Sequence, residues 1–194
     1  VIGITGSNGK TIVKEWLNHL LHHKFQIVRS PRSYNSQLGV PLSIWGMGAE
    51  HDLGIFEAGI SRPGEMSALQ KIIRPTIGLI TNIGEAHSDG FVSIEEKLKE
   101  KLSLFNETEV LIYCKDHVLI ENQIKERLKE GKIKTVFCWS RYSTEADLVL
   151  TKVEKQEGYS TLFLRISSVE LSFTIPFIDE AAIENAMHCF AVSS

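Results

Sequence analysis

The sequence predicts an α/β fold, a mostly parallel sheet flanked by helices, with a small antiparallel sheet near the C-terminal third. Three observations predict it. A strand, a Gly-Lys-Thr turn, a one-sided apolar helix and a second strand follow one another within residues 1–28. Strand-like and helix-like segments then keep alternating as far as Trp139. From about residue 147 to 176 the segments instead alternate apolar with polar and are joined by two-residue turns.

Val1 to Thr5 is a short apolar strand, and Gly6 to Lys10 a turn-forming loop. From Thr11 to about His23, the residues Val13, Trp16, Leu17, Leu20 and Leu21 fall on one side of a helix. Phe25 to Val28 reads as the next strand and completes a βαβ unit. Ser30 to Ser43, rich in Ser, Pro, Asn and Gly, reads as a long loop entering a short helix. Asp52 to Glu57 is a strand ending in a carboxylate, Ala58 to Glu65 a Gly/Pro loop, Met66 to Ile73 a short helix, and Pro75 to Ile80 a buried strand closed by Thr81-Asn82. Ser93 and Glu96 make a Ser-x-x-Glu capping box that opens a helix running to about Phe105. Val110 to Tyr113 is a strand, Val118 to Glu130 a helix and Thr135 to Trp139 a strand. The antiparallel segments are Asp147 to Val153, Ser160 to Ile166 and Leu171 to Pro176, turned at Glu157-Gly158 and Ser167-Ser168. A last helix, Ile183 to Val192, runs into the final residues without a clear cap.

At 194 residues and 43% hydrophobic, the chain can bury a normal core as one domain spanning 1–194. A net charge of -3 with mixed signs argues against a nucleic-acid partner. There is no apolar run of membrane-spanning length and no signal-peptide pattern, and the three cysteines lack metal spacing, which fits a reducing, cytoplasmic setting. The first strand has no lead-in, so flanking N- and C-terminal domains of a longer parent are expected.

Gly6-Ser7-Asn8-Gly9-Lys10-Thr11 lies between a strand and a helix. Glycines let successive backbone N–H groups turn inward around phosphate oxygens, and the helix N-terminus favours negative charge. Lys10 can reach the terminal phosphates, and the Thr11 hydroxyl is placed for Mg²⁺. The standard motif has a glycine where this chain has Ile4, so the match is to the shorter G-x-x-G-K-T form. These features make the fold P-loop NTPase-like and predict nucleotide binding; a merely structural glycine turn is the alternative.

Glu57 ends a strand at the edge where the phosphate loop lies, so it can hold Mg²⁺ or orient a nucleophile; a solvated strand end is the alternative. His87, in Asn82-Ile83-Gly84-Glu85-Ala86-His87, is either a ligand to a second Mg²⁺ or Mn²⁺ or a hydrogen-bonded loop residue. His19, His22, His23, His51, His117 and His188 read as surface or satisfied residues. Lys97 and Lys101 share a helix face at i,i+4, which by itself reads as a solvated charged helix.

Together these segments resemble the central domain of the Mur ligases. The family's T-G-[ST]-N-G-K-T loop is matched from Thr5 to Thr11. Asn35-Ser36-Gln37-Leu38-Gly39-Val40-Pro41-Leu42, Phe56-Glu57-Ala58-Gly59 with Pro63-Gly64-Glu65-Met66, and Asn82 to His87 with Gly90-Phe91 resemble motifs of its MurF branch. The resemblance implies roles one residue at a time. Gly6, Ser7, Asn8, Gly9, Lys10 and Thr11 bind ATP, the Thr11 hydroxyl holds the ATP-bound Mg²⁺, and Glu57 and His87 hold a second metal. Lys101 matches a lysine that is carbamylated in the family, with Lys97 and Lys99 as fallbacks because Leu102-Ser103 replaces the usual Gly-Glu. Asn185 matches an asparagine near adenine, although Ala181 and Ala182 depart from that motif. Asn35 and Ser36 belong to the substrate-side loop.

The implied reaction is ATP-dependent amide ligation through an acyl-phosphate, adding D-Ala-D-Ala to UDP-N-acetylmuramoyl tripeptide. The isolated domain is expected to bind ATP weakly and to turn over poorly. The stretch before Asn35 looks like a Bacteroidetes form fused to an alanine racemase. Alternatives are a folylpolyglutamate synthase or other ligase of the superfamily, an ordinary phosphate-loop ATPase or kinase, and a non-catalytic nucleotide-binding module.

Overall fold

The structure, a computed structural model, describes residues 1–84 and 90–194. Its elements in chain order are β1 (Ile2–Thr5), α1 (Lys10–Leu21), β2 (Ile27–Arg29), α2 (Gly39–Trp45), β3 (Leu53–Glu57), α3 (Glu65–Ile73), β4 (Ile77–Ile80) and α4 (Ile94–Leu102). A 3-10 turn (Ser103–Phe105), β5 (Val110–Cys114), α5 (Val118–Lys129), β6 (Thr135–Ser140), β7 (Leu148–Gln156), β8 (Tyr159–Ile166), β9 (Val169–Ile175) and α6 (Glu180–Ser193) follow. Among the described residues the strands form one sheet in the order β2-β3-β1-β4-β5-β6-β7-β8-β9. Pairing is parallel from β2 to β7 and antiparallel from β7 to β9.

The strands bury both faces, as parallel strands covered by helices must. Ile2 and Ile4 of β1, Ile55 of β3, Leu79 of β4 and Ile112 of β5 join α1 and α6 in one core. Phe56, Ile80, Leu111 and Tyr113, one position along, join α3, α4 and α5 in the other. Period-2 alternation thus splits each strand between two apolar layers.

The antiparallel strands are not a separate sheet. β6 and β7 pair in parallel only at Trp139 with Leu148 and Ser140 with Val149, where one strand ends and the next begins. The chain steps sideways instead of crossing over, so residues 141–147 suffice. Asp147 pins the step by accepting the Cys138 N–H at 2.7 Å.

Several boundaries move from those expected, for local reasons. The second strand is Ile27–Arg29, with Phe25 left exposed. The third hairpin strand starts at Val169, since the turn Ser167-Ser168 closes on the pair Ile166 and Val169. The last helix starts at Glu180, three residues early, because Asp179 Oδ1 accepts the Ala182 N–H at 2.8 Å. Such a cap contributes about 1 kcal/mol. Among the described residues no helix is long and apolar enough to cross a membrane.

A polar network is buried between α6 and the ends of β5 and β6. Trp139 Nε1 donates to His188 Nδ1 at 3.2 Å, which leaves the proton of the neutral ring on Nε2. Among the described residues that Nε2 has no hydrogen bond; it stands 3.7 Å from Glu184 Oε1, which also meets His117 Nε2 at 2.8 Å. His188 is therefore buried but not fully satisfied, unlike the expectation for it. Burial pushes the Glu184 carboxyl up, but the hydrogen bond from His117 and the nearby imidazoles of His117 and His188 outweigh it and hold the group down at about 2. A carboxyl lower in the folded state than its unfolded 4.5 stabilises above that pH and loses the contribution as pH falls toward about 2. Glu184→Gln is expected to cost on the order of 1–3 kcal/mol at neutral pH and to flatten the acid limb of urea-unfolding stability below pH 4.5. An unaltered acid limb in the variant would take Glu184 out of that linkage.

Candidate active site

β1 lies between β3 and β4 in the sheet, and its C-terminal end delivers the Gly6–Lys10 turn to the edge where β3 ends at Glu57 and β4 leads to Thr81. The strand order reverses direction here, which opens a crevice at that edge. Gly6 has φ 141° and Gly9 φ 82°, both in the region that favours glycine. Gly9 is the N-cap of α1 and supplies no side-chain cap, so the helix's first N–H groups stay available to an anion. The turn is held from outside. Ser7 N–H donates to Asn82 O at 2.9 Å, Asn8 N–H to Asn82 Oδ1 at 3.0 Å, and Thr81 Oγ1 to Asn8 O at 2.6 Å. Gly84 N–H donates to Ser7 Oγ at 2.9 Å.

Asn185, buried on α6, presses on this turn: a Cβ at Gly9 would lie 2.4 Å from its Oδ1. Asn185 thus packs beside the phosphate loop. Gly9→Ala would combine that clash with about 1–2 kcal/mol for a left-handed alanine. It is expected to weaken Mg-ATP binding at least tenfold by titration calorimetry, about 1.4 kcal/mol. Wild-type affinity would show that the cradle tolerates a side chain there.

Three lysines converge on the cradle. Lys10 Nζ folds back to donate to Gly6 O at 2.9 Å and Ser7 O at 3.1 Å. Lys101 Nζ donates to the same Gly6 carbonyl at 3.1 Å, and Lys97 Nζ donates to Gly84 O at 2.7 Å. The expectation of a solvated charged helix fails for these two, because Leu98 and Leu102 turn the face carrying Lys97 and Lys101 inward. Lys99 is exposed and drops out as a fallback. The capping box is present but altered: Ser93 Oγ accepts the Glu96 N–H at 3.1 Å, while Glu96 Oε2 accepts from Val92 rather than from the cap residue. Burial, then the charges of Lys10 and Lys97, push the Lys101 amine down to about 7. Burial also lowers Lys10, against the pull of Glu57, and lowers Lys97.

All three lysines line a cleft of about 320 Å³, together with Asn35, Ser36, Leu38 and Glu65. Glu57 is fully buried behind Asn35 of the cleft wall and is not a solvated strand end. Its Oε1 accepts from Asn35 Nδ2 at 3.0 Å, whereas among the described residues its Oε2 has no hydrogen-bond partner. A buried acceptor left open costs about 1–3 kcal/mol, so it calls for a ligand. An oxygen donor with free lone pairs suits a hard divalent cation. Thr11, half-buried, is the second residue of α1. His87 lies outside the described residues.

Sequence reasoning missed two contributors. Lys14 reads as an ordinary helix lysine, yet it is fully buried beside Glu57. Asn82 reads as a strand closer, yet it accepts two hydrogen bonds from the phosphate loop. Only the i,i+4 spacing of Lys14 from Lys10 hinted that both share a helix face.

The family described as Mur ligase middle domain matches residues 4–193. The UDP-N-acetylmuramoyl-tripeptide–D-alanyl-D-alanine ligase of Bacillus subtilis is 31% identical over 197 residues, covering 100% of this chain and 41% of the relative. MurF from Acinetobacter baumannii superposes with a TM-score of 0.85 at 24% identity, over 99% of this chain and 42% of that one. MurF ligase from Thermotoga maritima, solved in complex with ADP, gives 0.82 at 22% identity, over 98% and 44%. The two structural likenesses speak to the fold. The chain spans about two-fifths of the length of these relatives.

Proposed function

The chain belongs to the Mur ligase family, as its ATP-binding middle domain, and we propose that it carries the phosphoryl-transfer site of an amide ligase joining D-alanyl-D-alanine to UDP-N-acetylmuramoyl tripeptide. The observation that carries this reading is the meeting of Lys10 and Lys101 on one carbonyl, at the lip of a cleft whose Asn35 holds Glu57. Positive charge on one wall and an open carboxylate oxygen behind Asn35 suit a site where two anions, a phosphate tail and a carboxylate, must be brought together.

In the proposed reaction the first turn of α1, entered through Gly9, receives the ATP phosphates. Lys10 exchanges its carbonyl partners for the γ-phosphate and follows the charge as it moves. The substrate carboxylate attacks the γ-phosphorus, and the bond to ADP breaks. The amine of D-Ala-D-Ala then attacks the acyl carbon, and phosphate leaves. Asn35 and Ser36 line the cleft, and in this reading they serve the acceptor, where alignment matters more than any nucleophile of the protein. The Thr11 hydroxyl would hold the ATP-bound Mg²⁺, and Glu57 Oε2 would help to hold a second cation, whose charge offsets the repulsion between phosphate and carboxylate. His87 and a carbamylated Lys101 complete the proposed set for that cation. An amine near 7 is partly neutral at physiological pH, so its nitrogen can form a bond to CO₂ with release of a proton. Flanking domains, in this reading, bind the uridine diphosphate end and close over ATP, and without them this piece turns over poorly.

The test is ATP-dependent phosphate release by the full-length protein with UDP-muramoyl tripeptide, comparing D-Ala-D-Ala with single amino acids and glutamate. Release specific to the dipeptide, lost in Lys10→Ala, is expected. Preference for glutamate would point to a polyglutamate-forming ligase, and full activity in Lys10→Ala to a non-catalytic nucleotide module.

A further inference from the structure

Lys14 is fully buried in α1, one turn beyond Lys10. Its Nζ donates to Ser30 O at 2.7 Å and to Arg32 O, stands 3.3 Å from Glu15 Oε1 and lies 4.0 Å from the open Glu57 Oε2. A cation removed from water persists only where acceptors surround it. Here the two carbonyls belong to one stretch, the loop between β2 and α2. Arg32 has φ 50°, a conformation non-glycine residues seldom adopt, and its carbonyl is one of the two that Lys14 grips. Three residues on, Asn35 reaches Glu57 Oε1 with its side chain and takes the Gly59 N–H on its carbonyl at 2.8 Å. Ser36, Gln37 and Leu38 then continue along the cleft.

We propose that Lys14 is a positioning residue: it rivets the β2–α2 loop to the phosphate-loop helix and, through Asn35, sets the Glu57 carboxylate. One helix then carries two lysines with separate tasks, Lys10 toward the phosphates and Lys14 toward the loop on the acceptor side. Because the Lys14 donors are engaged by carbonyls, Glu57 Oε2 keeps its lone pairs for a cation while a counter-charge stays nearby. The inference rests on the reading of Glu57 as a cation-binding residue.

The experiment measures Mn²⁺ binding by electron paramagnetic resonance and amide exchange of residues 33–38 in the full-length protein. Lys14→Met is expected to weaken Mn²⁺ about 10-fold or more, the scale seen when a group supporting a metal ligand is removed. Exchange of the loop should rise. ADP affinity in EDTA, which depends on the cradle, should stay within about twofold of wild type. Adding Lys14→Met to Asn35→Ala should cost little more Mn²⁺ affinity than Asn35→Ala alone, since both act through one chain of contacts. Unchanged Mn²⁺ affinity and loop exchange in Lys14→Met, or fully additive losses, would overturn the proposal. If Lys14→Met does not fold, Lys14→Gln takes its place, and wild-type Mn²⁺ affinity in that variant overturns it equally. Glu57→Gln serves as the control for the underlying reading. If it binds Mn²⁺ normally, that reading fails, whereas loop exchange still decides what Lys14 holds.

Discussion

Glu57→Gln is expected to reduce ligase turnover by roughly 10²–10³-fold while the chain stays folded, a loss of the size seen when one charge-stabilising group is removed. Glutamine matches glutamate in shape, and its amide oxygen can still accept from Asn35 Nδ2, so the β2–α2 loop keeps its anchor. What disappears is the negative charge at a fully buried position with one oxygen unpartnered among the described residues. Lys14 also loses a counter-charge 4.0 Å away, but two carbonyls and Glu15 still surround it. The stability cost should therefore stay on the order of 1–3 kcal/mol, below that of a stripped ion pair. Steady-state phosphate release and urea unfolding on the same preparation separate the two effects. A variant retaining more than about a tenth of wild-type turnover would remove Glu57 from the chemistry.

Lys101→Met is expected to do the opposite to stability and the same to turnover. The Lys101 amine is buried, with Lys10 and Lys97 close enough to repel it, and these together hold it at about 7 against 10.5 for a free lysine. Below about pH 7 both folded and unfolded chains carry this proton, and the folded state bears the full cost of the buried charge. Between about 7 and 10.5 the unfolded chain binds the proton and the folded one does not, so wild-type stability rises with pH across that window. Methionine fills similar space without the charge. At pH 7, in bicarbonate-free buffer without nucleotide, the variant should be more stable by on the order of 1–3 kcal/mol, a Tm gain of several degrees. Its alkaline rise should be smaller than that of the wild type, since Lys10 and Lys97, also lowered by burial, remain. Turnover should fall below detection whether Lys101 acts as an amine or as a carbamate. Thermal melts from pH 6 to 10 check the first part, and a variant less stable than wild type at pH 7 would contradict it. The pairing of gained stability with lost activity is what a strained catalytic cluster produces.

The reach of the sequence differs from one residue to another. Gly6 to Thr11 was legible because it is a contiguous motif between a strand and a helix, and its geometry follows from two glycines and a helix start. Glu57 was legible as a strand end, but a strand end alone left open whether water or protein would surround it. Lys97 and Lys101 misread locally, because a helix that is charged overall can still bury two of its lysines when Leu98 and Leu102 share their face. Lys14 gave no sign beyond its i,i+4 spacing from Lys10. Its burial depends on Ser30 and Arg32, which lie across a strand from it.

By itself, then, the sequence determined the alternation of strands and helices, the two apolar faces and the phosphate turn. Each of these is written in spacing over a few residues, which periodicity and hydrogen-bonding rules translate directly. The tertiary structure alone decided that Asn185 presses on Gly9, that three lysines share one cleft, that β7 extends the parallel sheet, and that Glu57 keeps one oxygen open. Those outcomes depend on groups far apart in the chain meeting out of water, where burial and charge are set by neighbours that no local pattern specifies.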